Sequence, residues 1–327
     1  MNTKRLFTVI MALAMVLTLV VPIMADSHVL EVETTAFVEP GGAANAPEVL
    51  AAWQWTEDGF QEGTRVMANL HREIPGTPAE TNICVWAVVT DPNGIGDIQD
   101  VFFRTLYPWG DLKIQVHMVP VVGEANWMAA KQLAINSGQL TPAESAILDE
   151  MLEKNVALMF TGCWIYHTHQ SPGWYTTRVT AVDMAGNVGH LDVLLDMWGV
   201  TALGIDFDTV DYGSIVPGAV KWVAGSTTWG DGRPTVWNMG NTPAGLRLHS
   251  TAMVGEVYQK QIVDFNVQLL GQHVIYQASE WVTLAGPLLP CELEQIDFSI
   301  RPPLGIPGDV YSGFLHLEIF ALDNNNG

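Results

Sequence analysis

Short runs in which apolar and polar residues alternate dominate much of the chain and predict β-strands. Ile83, Val85, Ala87 and Val89 occupy every second position, and the run stops at the turn signal Asp91-Pro92-Asn93-Gly94. Alternation with period 2 is typical of a strand that buries one face. Comparable runs predict strands at 65–70, 98–106, 112–119, 156–169, 174–182 and 190–198. Strands of this number and spacing predict a two-layer β-sandwich.

The hydrophobic period changes between residues 125 and 154, where the sequence predicts an α-helical hairpin. Ala125 to Asn136 has a helix-forming composition. Thr141 then caps a second helix, Pro142 suits its first position, and Glu144 completes a capping box. An apolar stripe on the second helix predicts that the hairpin packs against a sheet. The stripe consists of Ile147, Leu148, Met151 and Leu152.

The first 25 residues have the pattern of a secretory signal peptide. Lys4 and Arg5 precede an uncharged run from Leu6 to Ala25, and a small residue stands before Asp26. An uncleaved N-terminal membrane anchor is the alternative, because about 20 apolar residues can span a bilayer. Pro22 and the cleavage-like end favour removal of residues 1–25. Both interpretations predict a protein that is secreted or held at the cell surface.

The remaining sequence divides by composition and pattern. Residues 26–60 are predicted to form an N-terminal arm with a flexible break at 39–44. Residues 61–200 are predicted to form one β-sandwich that carries the helical insertion 125–154. Residues 201–322 are predicted to form a second all-β domain, which a polar tail at 323–327 follows.

Two segments of the first domain resemble secreted immunoglobulin-like (Ig-like) modules. Residues 173–187, Gly-Trp-Tyr-Thr-Thr-Arg-Val-Thr-Ala-Val-Asp-Met-Ala-Gly-Asn, are similar to the penultimate strand and turn of these modules. Thr177 stands where many of them have Val. Residues 85–95 are similar to their second strand and its loop. The helical hairpin is not part of their usual pattern.

The second domain carries similar motifs. Val236-Trp237-Asn238-Met239-Gly240-Asn241 resembles the Val-x-Asn-x-Gly-Asn strand and turn of the same modules, and residues 308–322 resemble their last turn and strand. The resemblance implies an all-β fold of two Ig-like β-sandwich domains in tandem, in a surface protein of archaea or bacteria. It implies a non-catalytic structural or adhesion role through contact with other surface or extracellular proteins. Self-assembly is a further expectation, in which the arm 26–60 adds a strand to a neighbouring copy.

The Ig-like topology implies a disulfide between Cys84 and Cys163. In that topology their strands are antiparallel neighbours in one sheet, and the alternation turns both side chains to its outer face. Each cysteine lies seven residues from the same end of the strand pair. A secreted chain permits the bond. The alternative is two free thiols buried under the helical hairpin, and Cys291 is expected to be a small buried residue.

The same topology brings two polar loops to one pole of the first sandwich. Their oxygen-bearing side chains would suit Ca²⁺, which takes six to eight oxygen ligands with loose geometry. The candidate ligands are Asp91, Asn93, Asp97, Asp100, Asp183 and Asn187. The simpler interpretation, which we favour from sequence alone, is that Asp and Asn form these turns by bonding their own backbone. No cofactor is required, and Ca²⁺ is the one candidate ion.

Tryptophan suggests a second function. The chain has 12 Trp residues, and Trp222, Trp229 and Trp237 lie close together beside glycine-rich loops. Exposed Trp rings there would stack on sugars, which predicts a carbohydrate-binding accessory module that contacts polysaccharide. The alternative, which we favour, is that these rings fill a sandwich core. No nucleophile elbow, phosphate loop or paired carboxylate motif points to an enzyme.

Charge excludes one class of partner. Lys and Arg number 14 against 35 Asp and Glu, for a net charge of −21. The protein therefore lacks the basic surface that neutralises phosphates, which argues against nucleic-acid binding.

Overall fold

The computed structural model describes residues 46–56, 60–69, 75–284 and 286–322. The predicted signal segment 1–25, most of the predicted arm and the tail 323–327 lie outside the described residues. The chain is mostly β, with 48% strand and 10% helix. Neither helix in the described part has the length and apolarity needed to cross a membrane.

Ten of the described strands form the N-terminal sandwich. They are β1 (Glu48–Thr56), β2 (Phe60–Glu62), β3 (Arg65–Met67), β4 (Glu80–Thr90), β5 (Ile98–Leu106), β6 (Leu112–His117), β7 (Val119–Pro120), β8 (Ala157–His167), β9 (Gly173–Asp183) and β10 (Val188–Met197). One sheet has the order β1-β4-β8-β7, and the facing sheet has the order β2-β3-β10-β9-β5-β6. Only the pair β3–β10 is parallel among these described strands.

The core of this sandwich follows the alternation in the sequence. Ile83, Val85, Ala87 and Val89 are all fully buried on the inner face of β4. They meet apolar side chains from the inner face of the opposite sheet, which are Val101, Phe103, Tyr175, Val179, Ala181 and Leu195. Burial of this apolar surface supplies the main stabilisation of the sandwich.

The helical hairpin covers the outer face of the first sheet. Helices α1 (Glu124–Asn136) and α2 (Pro142–Glu153) connect β7 to β8. The predicted capping box is confirmed, with the Thr141 hydroxyl accepting from the Glu144 N–H and the Glu144 carboxylate accepting from the Thr141 N–H. Leu148 packs with Trp53 and Met159 in a separate apolar cluster. Ile147 is 61% exposed, so only part of the predicted stripe faces the sheet.

The end of the predicted arm belongs to the sandwich instead. β1 pairs with β4 from Glu48↔Thr90 to Thr56↔Ile83, and β2 pairs with β3. Trp53 is fully buried between the first sheet and the hairpin. Burial of this ring and pairing of the backbone fix the strand within its own chain. Residues 48–56 are therefore not a free strand for donation to a neighbouring copy.

Twelve further strands in the described part of the chain form a C-terminal sandwich. They are β11 (Leu203–Ile205), β12 (Lys221–Val223), β13 (Thr235–Asn238), β14 (Ala244–Ser250), β15 (Met253–Gly255), β16 (Gln261–Ile262), β17 (Asp264–Leu269), β18 (Gln272–Gln277), β19 (Val282–Thr283), β20 (Leu293–Ile300), β21 (Tyr311–Ser312) and β22 (Leu315–Ala321). One sheet has the order β11-β13-β20-β17-β18, with β12 also paired to β20. The sheets β19-β14-β22 and β16-β15-β21 face it across a second core.

The turn after β13 builds the joint between the sandwiches. Buried Asn238 donates its side-chain amide to the carbonyls of Thr242 and Leu288 and accepts from the Gly240 N–H, which shapes the turn. Gly240 then passes so close to residue 200 that a Cβ would lie 2.1 Å from the Val200 carbonyl oxygen. The Val-x-Asn-x-Gly-Asn motif therefore shapes a turn whose backbone contacts the backbone of Val200 closely.

Asn241 completes the joint. It is fully buried, and its side-chain amide donates to the Tyr166 hydroxyl at 3.0 Å and to the Trp198 carbonyl at 2.7 Å. Its side-chain oxygen accepts from the Val200 N–H. A contact of 3.4 Å between the Thr168 hydroxyl and the thiol of Cys291 also crosses the joint. Satisfied buried polar groups of this kind define one geometry, because any displacement would leave them without partners.

Candidate functional site

Three carboxylates meet at one pole of the N-terminal sandwich. Asp91 directly follows β4, Asp97 ends a short 3₁₀ turn before β5, and Asp183 is the last residue of β9. One carboxylate oxygen from each lies within 4.8 Å of the others. The Met184 N–H donates to the Asp97 carbonyl and ties the two loops together. We call Asp91, Asp97 and Asp183 the acidic pole.

Two asparagines of the predicted set support the acidic pole. Asn93 donates its backbone N–H to Asp91 Oδ1 and its side-chain amide to Asp97 Oδ2. Asn187 donates its backbone N–H and its side-chain amide to the two oxygens of Asp183. Burial acts to raise the pKa of Asp183, but the hydrogen bonds from Asn187 and the turn backbone outweigh it and hold that pKa below its ordinary value. Asp183 is therefore a buried, ionised carboxylate.

Asp91 is buried, and only one of its two carboxylate oxygens has a hydrogen-bond partner among the described residues. Its side chain is only 5% exposed, and its Oδ2 atom has no hydrogen-bond partner among the described residues. Asp100, also in the predicted set, does not join the acidic pole, because its carboxylate contacts Nδ1 of His117 at 3.1 Å. Asp100 lies within β5 and pairs with β9, whereas Asp91 and Asp97 lie in the loop before it. Sequence proximity alone grouped it with them.

Cys84 and Cys163 form a disulfide on the outer side of the first sheet. They are direct partners in the β4–β8 register, with Cα atoms 4.0 Å apart. Their neighbours in each strand, Ile83 and Trp164, point into the core, so the two cysteines point outward. Cys291 is the free thiol of the described chain and is buried at the joint.

The three candidate tryptophans share the outer face of the large C-terminal sheet, but they do not form a flat row. Trp222 is 40% exposed and stands edge-on to His273 at 5.3 Å. Trp237 is only 4% exposed, and Trp229 covers it at an interplanar angle of 74°. Trp222 is therefore the one member of the set with a large open surface.

A second aromatic surface was not evident from the sequence. His249 and His316 are cross-strand partners in β14 and β22 and stack at 4.4 Å, and Trp281 stands edge-on to His249 at 4.3 Å. The Arg247 guanidinium lies 5.1 Å from the Trp281 ring and pairs with Glu318. Period-2 spacing of Arg247 and His249 is visible in the sequence. Their partners Glu318 and His316 are supplied by the register with β22, about 70 residues later, and Trp281 directly precedes β19, which pairs with the other edge of β14.

Comparison with known proteins does not assign the chain to a family. No protein-family profile matches the chain, and no curated protein matches it. Among solved structures, a chaperone–tip adhesin complex of CFA/I fimbriae biogenesis is similar at 10% identity with a TM-score of 0.32, covering 89% of this chain and 88% of that one.

Two other solved structures are also similar to this chain. The C-terminal domain of the Streptococcus pyogenes antigen I/II-family protein AspA is similar at 8% identity with a TM-score of 0.24, covering 84% of this chain and 95% of that one. Carbohydrate-binding modules of the β-sandwich superfamily are similar at 10% identity with a TM-score of 0.20, covering 84% and 96%. These neighbours are adhesin and carbohydrate-binding β-sandwich proteins. TM-scores this low carry no argument about the function of this chain.

Proposed function

We propose that the chain is a non-catalytic extracellular protein, secreted or held at the cell surface. In this proposal it acts by contact with other proteins or surfaces through the outer faces of two rigidly joined Ig-like sandwiches. The observation that carries the proposal is the buried joint around Asn241. In the proposal, these buried hydrogen bonds hold both sandwiches as one body whose faces keep fixed directions.

The strand order supports an Ig-like assignment of the N-terminal sandwich. The order β1-β4-β8-β7 of one sheet and the part β10-β9-β5-β6 of the other correspond to the A-B-E-D and G-F-C-C′ orders of Ig sandwiches. The Tyr175 hydroxyl near the start of β9 donates to the Ser171 carbonyl at 2.8 Å. This contact is like the tyrosine corner of Ig domains, where a Tyr near the start of strand F bonds to backbone a few residues upstream.

Two features support a location outside the cytoplasm. The Cys84–Cys163 disulfide joins outer positions of the first sheet, of which Cys84 is half-buried and Cys163 exposed, and such bonds persist mainly in oxidising compartments. The signal-like pattern of residues 1–25 supplies a route of export. The net charge of −21 favours solubility and disfavours adsorption to anionic surfaces.

Protease treatment of intact source cells tests the location. We expect peptides from exposed loops, such as the segment around Val257, to be released into the medium while the cells stay intact. A cytoplasmic protein with known abundance serves as the control and should stay uncleaved. Recovery of the chain only from lysed cells, together with that control, would contradict the proposal.

A second candidate function is carbohydrate binding, and one observation favours it. Trp222 offers an open ring on a sheet face that also carries the hydrogen-bonding side chains Gln268, His273 and Asp297. An aromatic face beside polar groups suits the apolar and hydroxyl faces of a sugar.

Affinity electrophoresis in gels that contain xylan or β-glucan tests this second function. Retardation that Trp222→Ala abolishes would support it. Ile275→Ala is the control, because Ile275 is 73% exposed on the same sheet face and has no aromatic ring. Equal mobility of the wild-type protein with and without polysaccharide would contradict it.

A further inference from the structure

The acidic pole concentrates negative charge that no described residue neutralises. Its three carboxylates approach within 4.8 Å, and none forms a salt bridge to a described lysine, arginine or histidine. Asp183 is fully buried and Asp91 nearly so. Like charges at this distance destabilise each other, and burial makes their repulsion stronger.

The unpartnered oxygen of Asp91 is an independent sign of a ligand. Asp91 Oδ2 is buried and accepts no hydrogen bond from a described residue, although the other oxygen of the same carboxylate is bonded to the Asn93 N–H. A buried acceptor without a partner is destabilising by about 1–3 kcal/mol, and more when it is charged. Native structures rarely retain such a group unless water or an ion satisfies it.

We propose that the acidic pole binds one calcium ion through the carboxylates of Asp91, Asp97 and Asp183. All the ligand atoms that the acidic pole offers are oxygens, which favours a hard cation and disfavours zinc or copper. Ca²⁺ suits a site built from two loops, because it accepts six to eight oxygens in a flexible geometry, whereas Mg²⁺ demands a strict octahedron. Water and nearby backbone carbonyls would supply the remaining ligands.

The ion would stabilise the pole of the N-terminal sandwich by bridging two loops. Asp91 and Asp97 lie in the β4–β5 loop, and Asp183 opens the β9–β10 loop. One ion bound to both loops joins the first sheet to the facing sheet at the end where backbone pairing stops. The proposal does not depend on the contact function, because it concerns the stability and shape of this pole.

Isothermal titration of the EDTA-treated full chain with CaCl₂, together with thermal melting with and without CaCl₂, tests the site. We expect about one Ca²⁺ per chain and a rise of several degrees in the melting midpoint, because a ligand that binds only the folded state stabilises it. Asp91→Asn and Asp97→Asn should each lose this rise. Asp100→Asn is the matched control, because it removes the same charge from the same sequence segment but lies outside the acidic pole, and it should keep the rise.

Melting in EDTA distinguishes a lost ligand from a damaged fold. Asp97 is only half-buried, and its replacement removes a like charge from the pole. Asp97→Asn should therefore melt in EDTA at the same temperature as the wild-type protein or higher. No heat of binding and no Ca²⁺-dependent midpoint in the wild-type protein would overturn the proposal, as would an undiminished rise in both Asp91→Asn and Asp97→Asn.

Discussion

The side-chain amide of Asn241 donates to the Tyr166 hydroxyl across the joint, with a nitrogen–oxygen distance of 3.0 Å. The same hydroxyl donates to the Gln170 carbonyl at 2.6 Å, so it is satisfied as both acceptor and donor. Both side chains are fully buried. A residue of the C-terminal sandwich therefore completes the hydrogen bonding of a core residue of the N-terminal sandwich.

Replacement of Asn241 by Ala should destabilise the chain strongly. The variant leaves the Trp198 carbonyl and the Val200 N–H without their bonds to the side chain. We expect a loss of about 1–3 kcal/mol for each buried group left unsatisfied, measured by urea denaturation. Asn126→Ala, at an exposed site on α1, should stay within about 0.5 kcal/mol of the wild-type protein. Similar values for the two variants would show that the joint bonds contribute little.

Gly240 tests the close approach at the joint separately. A Cβ there would meet the Val200 carbonyl oxygen, which is backbone and cannot rotate away. Gly240→Ala should therefore lower the free energy of unfolding by about 1–3 kcal/mol. Gly308→Ala is the control, because its added Cβ would have nothing within 4 Å. Equal stability of the two variants in chemical denaturation would contradict the tight contact.

The disulfide should contribute to stability through the unfolded state. It closes a loop with a sequence separation of 79 residues, so removal of the bond gives the unfolded chain more freedom. The double variant Cys84→Ala/Cys163→Ala should lose about 2–5 kcal/mol. Treatment with a phosphine reductant should lower the melting midpoint of the wild-type protein and leave that of the double variant unchanged. If the reductant lowered the melting midpoint equally in both proteins, the effect would come from another group and not from the Cys84–Cys163 bond.

Lys113 should make stability depend on pH above neutrality. Burial beside the rings of Tyr107 and Trp164 lowers the pKa of Lys113 from 10.5 to about 8. Between those values the unfolded chain binds more protons than the folded chain, so the free energy of unfolding rises with pH. The rise should be absent in Lys113→Met and retained in Lys260→Met, which changes an exposed lysine. Denaturant titrations at pH 7.5, 8.5 and 9.5 measure it, and an identical rise in both variants would contradict the assignment.

Local patterns in the sequence predicted the elements whose causes are local. The alternation from Ile83 to Val89 gave the inner face of β4, and the Thr141–Glu144 capping box gave the start of α2. Both depend on residues a few positions apart. Sequence patterns place the β1 strand in an arm because nothing local shows that Trp53 is buried by the hairpin of α1 and α2, far along the chain.

The candidate site required information that the sequence contains only indirectly. Asp91, Asp97 and Asp183 could be grouped because a resemblance supplied the topology that brings their loops together. The departure of Asp100 toward His117 depends on the β5–β6 pairing, and the contact of Asn241 with Tyr166 depends on how the sandwiches meet. The register between strands that are distant in the sequence depends on the packing of the whole fold, so patterns in a single sequence do not specify it.

Differential scanning calorimetry of the full chain tests most directly whether the two sandwiches act as one rigid body. We expect one transition whose calorimetric and van't Hoff enthalpies agree, because the joint couples both cores. In Asn241→Ala the transition should broaden or split. Two separate transitions in the wild-type protein, unaffected by Asn241→Ala, would show that the sandwiches unfold independently and are not one rigid body.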